Sequence, residues 1–243
     1  MDLFVASSRG KYLASHFNQG ARAVFWFKKG AMLSQLYSKA KTLLAQNRHL
    51  YQDVQHIHPN FVYVIGGLPD ITSVIEDDHY QEIIYTEDTT ETYNRLCTTY
   101  TKISQDIINL NAIPCFATIT PMHLEDWNNY RLSIGATSYL IHHRYYEDMT
   151  HLLNQAIINI NNFIRDLNES NNVDTPKFAS CFIKKRGQGR ENRIMYNRLD
   201  DGCHATEEII EKWKLELELI TSSNRYRNAT DAVLMDANRN HYH

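Results

Sequence analysis

The sequence contains few of the residues that divide or cross-link a chain. Its 243 residues include nine glycines, five prolines and four cysteines. No stretch rich in Pro, Gly and Ser forms a linker, so we expect one domain over residues 1–221, followed by a C-terminal tail over residues 222–243. The cysteines form no CxxC pair, which excludes the usual zinc and redox motifs. They are Cys97, Cys115, Cys181 and Cys203.

Long apolar runs and an excess of one charge are also missing. No run approaches the ~18 apolar residues that a membrane span requires, and no basic and apolar leader opens the chain. The 25 basic and 28 acidic residues give a formal net charge of -3, with the two signs well mixed. This balance favours neither a membrane-surface protein nor a nucleic-acid-binding protein. We therefore expect an intracellular protein, in the cytoplasm.

Histidine, in contrast, is frequent, and two close pairs invite a metal interpretation. The pairs are His56 with His58 and His142 with His143, among 12 histidines in total. No carboxylate or cysteine stands at ligand spacing around either pair, and surface histidines explain them more simply. The sequence therefore predicts no metal site.

Short apolar runs alternate with helical patterns along most of the chain. Strands are predicted over residues 3–5, 23–27, 61–65, 112–119 and 178–183. Amphipathic helices are predicted over residues 32–46, 89–110, 146–167 and 206–219. This order predicts an α/β fold, in which helices cover both faces of a five-stranded, mainly parallel sheet. The longer segments 72–85 and 122–144 carry no readable motif and are expected to be specificity loops, and segment 122–144 is predicted to form a lid or wall of a site.

A serine pair follows the first strand, where a helix begins. In a parallel sheet the loops at the carboxyl ends of the strands meet at one edge, and sites are formed there. A serine at such a turn presents its hydroxyl beside the free N–H groups of the helix. Ser8 is therefore a candidate nucleophile. The open alternative is that Ser7 or Ser8 only caps the helix.

The last loop, before the final helix, places an acid three residues before a histidine. At this spacing Asp201 can hold the imidazole of His204 in one tautomer while the other ring nitrogen faces a serine. Ser8, His204 and Asp201 together are the predicted catalytic residues. A helix cap with a solvated histidine is the alternative for this loop.

The order of these loops resembles that of the SGNH (GDSL-like) hydrolases, over most of residues 3–219. The family's Gly-Asp-Ser block is matched by FVASSRGKYL, with Ser8 at the nucleophile position. Its second block is matched by Gly30 in KKGAMLSQL, and its Gly-x-Asn-Asp block by Gly67 and Asp70 in VIGGLPDI. Its Asp-x-x-His block is matched by the sequence from Asp201 to His204.

The resemblance implies a flavodoxin-like α/β/α sandwich and a carboxylic-ester hydrolase that needs no cofactor. It also implies an oxyanion hole made by the N–H groups of Ser8, Gly30 and Gly67. Two departures weaken this hole: the Gly-Asp before the nucleophile is Ala-Ser here, and Pro69 stands where the family has an asparagine donor. Because one such donor is worth ~100- to 1,000-fold in turnover, we expect slow hydrolysis of a small-molecule ester or acylated substrate.

A basic segment over residues 184–198 suggests a different function. The segment contains one acidic residue, Glu191, and six basic residues: Lys184, Lys185, Arg186, Arg190, Arg193 and Arg198. Such a patch can neutralise phosphates, and Tyr196 can stack on a base. Some SGNH-like proteins have lost catalytic residues and bind RNA. The alternative prediction is therefore a catalytically impaired domain that binds RNA or another phosphate-bearing partner; a plain solvated loop also remains open.

Overall fold

A parallel sheet forms the centre of the computed structural model, which describes residues 2–17, 23–46, 60–77, 80–185 and 192–240. Four strands run in the same direction, in the order β2-β1-β3-β6. They are β1 (Asp2–Ala6), β2 (Ala23–Phe27), β3 (Asn60–Ile65) and β6 (Ala112–Phe116). Their carboxyl ends share one edge, as the alternating pattern of strands and helices predicts.

Helices cover both faces of this sheet. They are α1 (Lys11–Phe17), α2 (Leu33–Gln46), α3 (Thr89–Asn109), α4 (Leu124–Ser133), α5 (Tyr146–Ser170) and α6 (Glu207–Asn240). Side chains of α2, α3 and α5 pack with Leu3 and Val64 on one face, whereas α1 and α6 pack with Phe4 and Tyr63 on the other. Neighbouring strand residues point to opposite faces, so central strands must be apolar throughout. Within the described ranges, no helix has both the length and the apolar composition needed to cross a membrane.

The prediction of a fifth strand over residues 178–183 is wrong. Residues Phe178–Phe182 form a 3-10 helix, and only the two residues of β7 (Ile183–Lys184) are extended, paired with β8 (Arg193–Ile194) in a separate antiparallel ribbon. The helical turn directs both Phe178 and Phe182 toward Trp213, and the rings of Phe178 and Trp213 stack with centroids 4.6 Å apart. A strand would have sent alternate residues of this apolar run to opposite sides.

A ladder of asparagines occupies the place of the missing strand. Three asparagines at seven-residue intervals on α5 face the open edge of β6 and the segment that continues it. Each side-chain amide accepts from the N–H and donates to the C=O of one residue, at 2.7–3.1 Å. The pairs are Asn154 with Met122, Asn161 with Ile119 and Asn168 with Phe116. This asparagine ladder satisfies buried backbone groups that a fifth strand would otherwise pair.

The two longer segments without a readable motif, 72–85 and 122–144, contact each other. The strands β4 (Ser73–Asp77) and β5 (Tyr80–Ile84) pair antiparallel, and Asn128 of α4 bonds both backbone groups of Ile83. Glu82 is fully buried and accepts from the hydroxyl of Tyr146 and the N–H of His142. The β4–β5 strand pair, α4 and the start of α5 are therefore joined through polar contacts.

The final helix is longer than predicted. It continues to Asn240, so the predicted boundary at residue 222 falls inside α6. Asn224 is fully buried and accepts from the N–H of Asp174 at 2.8 Å. Arg225 forms an ion pair with Asp2, and Arg227 forms one with Asp174. These contacts connect the helix beyond residue 222 with the sheet and with the α5–β7 connection.

Candidate active site

Ser8 begins a single 3-10 turn between β1 and α1. The preceding Ser7 is extended, its N–H donates to Ile65 O at 2.8 Å, and its side chain makes no cap hydrogen bond. Ser7 is buried, whereas Ser8 is half-buried. Gly10 closes the turn over Ala6, against which a Cβ on Gly10 would collide. The turn therefore directs the two serines differently, with Ser8 toward the edge of the sheet.

The last loop brings His204 and Asp201 to Ser8. The Ser8 hydroxyl lies 3.3 Å from His204 Nε2, and His204 Nδ1 lies 2.7 Å from Asp201 Oδ2. The side chains of His204 and Asp201 are 22% and 13% exposed. The second carboxylate oxygen of Asp201 accepts the N–H groups of Cys203 and His204, at 2.9 and 2.7 Å. Hydroxyl, imidazole and carboxylate thus form one hydrogen-bonded row, the geometry of a general base oriented by an acid.

The hydrogen bonds around Asp201 also control its charge. Burial alone raises the pKa of this carboxyl, but the hydrogen bonds from the ring and N–H of His204 outweigh it, so the pKa lies below its usual value. Asp201 is therefore ionised at neutral pH. A carboxylate in this position stabilises the imidazolium that forms when His204 accepts a proton.

Gly202 allows the histidine loop to lie against α4. Its φ is +80°, and its C=O accepts the N–H of His123 at 2.8 Å. A Cβ there would lie 2.5 Å from Trp127 N and 2.6 Å from His123 O. Trp127 in turn presents its ring at a steep angle to His204, with centroids 5.5 Å apart. Trp127, in segment 122–144, therefore lies directly beside the imidazole.

The loops predicted to supply the oxyanion hole lie at the same edge of the sheet. Lys28 N donates to Ala6 O at 3.0 Å, so the turn that holds Gly30 begins beside β1. Gly30 and Gly67 have φ of +65° and +108°, and Gly30 is exposed. Pro69 lies in a 3-10 turn at residues 68–70, directly after Gly67. That the N–H groups of Ser8, Gly30 and Gly67 converge on one oxyanion remains a prediction.

Asp70 joins two of these loops, a role that sequence reasoning did not assign. Its carboxylate accepts the N–H of Leu33, at 2.9 and 3.2 Å, where α2 begins. Its own C=O accepts from Arg95 at 2.8 Å. Burial raises the pKa of Asp70 to about 6, against the lowering effects of the Leu33 hydrogen bond and of Arg95. The carboxylate thus connects the loop of Gly67 to the helix that follows Gly30.

A cleft of about 500 Å³ opens beside the imidazole. Its lining combines two exposed aromatic rings, Tyr12 and Tyr130, with acidic residues of the histidine loop and of the first turns of α6. His204 and Asp201 both contribute to its wall. The volume is sufficient for a small acyl or alcohol group next to the reactive row.

The predicted binding residues are only partly described. Lys184, Lys185 and Arg193 are exposed on the β7–β8 ribbon, whereas Arg186 and Arg190 lie outside the described residues. Tyr196 is half-buried: its ring packs at a tilt on His123 with centroids 4.7 Å apart, and its hydroxyl accepts from Asn154 at 3.0 Å.

The structure also bears on a wider basic surface and on the two histidine pairs. The binding alternative requires the basic segment to form a continuous surface with Arg9, Lys28 and Lys29, but Arg9 is buried and cannot contribute to such a surface. His142 lies 3.1 Å from Glu82, and His56 and His58 lie outside the described residues. Over the part of the chain that is described, no three His, Cys, Asp or Glu side chains are grouped to hold a metal ion.

Comparison with known proteins identifies the fold. No family model matches the chain, and no curated protein sequence is similar to it. Among solved structures, a candidate acylhydrolase from Bacteroides fragilis is similar, with a TM-score of 0.59 and 12% sequence identity. The alignment covers 92% of this chain and 88% of the acylhydrolase. A GDSL-like lipase from Bacteroides thetaiotaomicron is also similar, with a TM-score of 0.57 and 10% sequence identity. That alignment covers 91% of this chain and 88% of the lipase.

A third similar structure comes from Drosophila. The C-terminal domain of Drosophila Oskar covers 89% of this chain with 85% of its own, at a TM-score of 0.51 and 13% identity. The fold predicted from the loop motifs is thereby confirmed, with four strands in the parallel sheet of the described residues rather than the five predicted. The chain is a divergent protein with the fold of the SGNH (GDSL-like) hydrolases.

Proposed function

We propose that the protein is a serine hydrolase that cleaves carboxylic esters. One observation supports this proposal above the others: Ser8, His204 and Asp201 form a continuous hydrogen-bonded row at the carboxyl edge of the sheet. Ser8 and His204 are 196 positions apart in the sequence, so no local capping interaction explains their contact. The neighbouring cleft supplies space for a small substrate.

The reaction would proceed by acyl transfer. The Ser8 oxygen attacks the ester carbonyl carbon while its proton passes to His204 Nε2, and Asp201 stabilises the resulting imidazolium. The tetrahedral intermediate then expels the alcohol, which takes the proton from His204. A water molecule next gives a proton to His204 and attacks the acyl-enzyme. Collapse releases the carboxylic acid and returns the proton to Ser8.

Turnover is expected to be slow because the oxyanion hole lacks a side-chain donor. Pro69 has neither an amide side chain nor a backbone N–H. The remaining predicted donors are the N–H groups of Ser8, Gly30 and Gly67. A complete serine–histidine–aspartate row with fewer donors still accelerates hydrolysis substantially over water.

Covalent labelling tests the proposal even when turnover is slow. A fluorophosphonate probe should attach to Ser8 with loss of fluoride, and intact-mass and peptide spectrometry would locate the adduct. Ser8→Ala should abolish both the labelling and the hydrolysis of p-nitrophenyl acetate. Ser7→Ala is the matched control, because Ser7 is adjacent but buried and outside the row, and it should keep both. Equal behaviour of the wild type and Ser8→Ala would refute the hydrolase.

A second candidate function rests on the exposure of Lys184, Lys185 and Arg193 on the β7–β8 ribbon. These residues, together with Arg186 and Arg190 in the sequence, would neutralise phosphates of RNA or of another phosphate-bearing partner in a catalytically impaired domain. A salt-dependent gel shift with single-stranded RNA should weaken when Lys184, Lys185 and Arg193 are changed to Gln. Changing Lys41, Lys102 and Arg144 to Gln, which removes the same number of exposed charges elsewhere on the surface, serves as the charge-matched control. No shift at low salt would exclude this function.

A further inference from the structure

Arg9, the residue after the candidate nucleophile, is a buried cation. Only 8% of it is exposed. Its Nη1 donates to Thr120 O at 2.7 Å and also bonds the Thr120 hydroxyl. Its Nη2 donates to Pro121 O at 3.2 Å and to Cys203 Sγ at 3.5 Å. The guanidinium therefore contacts two loops that are 111 and 194 positions away in the sequence.

Fold stability alone explains this arrangement poorly. Buried arginines are normally paired with carboxylates, because desolvation of an unpaired charge is costly. Within the described ranges, Arg9 forms no ion pair with a carboxylate, and its Nε is buried without a hydrogen-bond partner. The acceptors that it has are neutral carbonyl, hydroxyl and thiol groups. An apolar side chain of similar volume would fill this position with less desolvation.

The contacts of Arg9 do, however, connect the parts of the candidate site. Thr120 and Pro121 follow β6, and Cys203 lies between Asp201 and His204. The N–H of Cys203 donates to the same carboxylate that holds the imidazole. From the other end, Arg9 is covalently attached to Ser8. One guanidinium thus lies between the nucleophile turn and the histidine loop.

We infer that Arg9 is a positioning residue, which holds the histidine loop at the distance from which His204 accepts the Ser8 proton. The inference rests on the proposed hydrolase function. A planar fork with donors on two nitrogens can bond both loops at once, which a lysine ammonium at the end of a flexible chain cannot do equally well. Arg9 acts through Ser8 and His204 and need not contact the substrate.

The test compares Arg9→Met, which removes the fork, with Arg9→Lys, which keeps the charge. Because a misplacement of about 1 Å can cost about 100-fold in rate, Arg9→Met should lower kcat for p-nitrophenyl acetate about 10- to 100-fold, with KM within about twofold. Arg9→Lys should fall between Arg9→Met and the wild type. The rate of fluorophosphonate labelling of Ser8 should decrease in the same order.

A spectroscopic signal tests the positioning without any turnover. The proton on His204 Nδ1, bonded to Asp201, should give a low-field ¹H resonance that is absent from Asp201→Asn. This resonance should broaden or disappear in Arg9→Met. The control is Arg225→Met, which breaks the ion pair with Asp2 at the opposite end of β1; it should lower the melting temperature but leave the resonance and kcat unchanged.

The outcomes distinguish failure of the positioning role of Arg9 from failure of the hydrolase proposal. An Arg9→Met protein with wild-type labelling rate and an unchanged resonance would overturn the positioning role. If Arg9→Met does not fold, Arg9→Lys decides: a wild-type kcat and resonance in that variant would likewise overturn it. If neither the wild type nor Ser8→Ala is labelled, the hydrolase proposal fails, while the resonance still reports whether Arg9 holds His204 beside Asp201.

Discussion

The proton-transfer side of the candidate site and its oxyanion side differ in how completely their hydrogen bonds are made. On the first side, Ser8, His204 and Asp201 are joined, and both oxygens of Asp201 have donors. On the second, which remains a prediction, Gly30 lies on an exposed turn, and Pro69 stands where the resemblance places an asparagine donor. The difference predicts that proton transfer and charge stabilisation can be altered separately by substitution. It also predicts that charge stabilisation limits the rate.

The largest effect is expected on the proton-transfer side. Asp201→Asn keeps the shape of the side chain but loses the charge and favours the wrong tautomer of His204, so kcat for p-nitrophenyl acetate should fall about 10,000-fold, as in serine proteases. Asp200→Asn is the control, since it makes the same change at the exposed neighbouring residue. Equal kcat values for the two variants would show that the row does not carry the reaction.

On the oxyanion side, a substitution is expected to increase kcat instead of lowering it. Pro69→Asn would restore the amide that the resemblance places at this position, and kcat should rise about 10- to 100-fold, part of the value of one donor. Pro69→Ala removes the ring without supplying an amide and should leave kcat within about threefold. If the two variants behave alike, the missing donor is not what limits the rate.

A smaller loss is expected where the histidine loop touches α4. Gly202→Ala would introduce a Cβ at φ +80° against Trp127 N and His123 O. The loop must shift, and kcat should fall about 10-fold with a loss of about 1–3 kcal/mol in the free energy of unfolding. Gly135→Ala shares a positive φ of +69° but meets nothing within 4 Å. It therefore separates the backbone strain from the steric contact.

Asp70→Asn should have the smallest effect on turnover but a distinct effect on stability. Because the pKa of Asp70 rises to about 6 on folding, the folded state binds more protons than the unfolded state between about pH 4 and pH 6. Its contribution to the free energy of unfolding is therefore full below pH 4 and is lost as the pH rises through about 6. The loss is on the order of 2–3 kcal/mol.

Denaturant unfolding of the wild type and Asp70→Asn from pH 4 to pH 8 measures this difference. The stability of the variant relative to the wild type should increase with pH and level off above about pH 7. Asp88→Asn provides the opposite case, since the N–H groups of Glu91 and Thr90 lower the pKa of Asp88, and its relative stability should decrease with pH. A difference for Asp70→Asn that does not change with pH would show that this carboxyl is not titrated by folding.

Local patterns predicted the helices and strands that are apolar on a clear period. The helices over residues 32–46 and 89–110 are confirmed within one residue at each end. The run FASCFI failed because an apolar segment of six residues fits either a strand or a tight helical turn, and only the position of Trp213 decides between them. The long α6 was missed because its outer turns are polar and are held by distant partners, Asp2 and Asp174.

The asparagine ladder shows a signal that was present but not interpreted. Asn154, Asn161 and Asn168 stand on the otherwise apolar face of α5 at intervals of seven residues. A buried polar residue repeated at helical spacing needs partners, and backbone groups of an uncovered strand edge are the partners that amides suit best. The pattern thus argues against a fifth strand beside β6. Arg9, in contrast, is a single residue whose burial no sequence pattern marks.

The sequence by itself determined the alternation of strands and helices, and with it the edge at which Ser8 and His204 lie, because parallel βα winding brings successive carboxyl ends together. It also determined the absence of a donor at Pro69, which follows from the chemistry of proline. Only the tertiary structure decided the number of strands, the burial of Arg9 and the distances within the row. The strand number, the burial of Arg9 and the distance between Ser8 and His204 depend on contacts between residues 32 to 196 positions apart, and no local pattern encodes which distant group will satisfy a buried one.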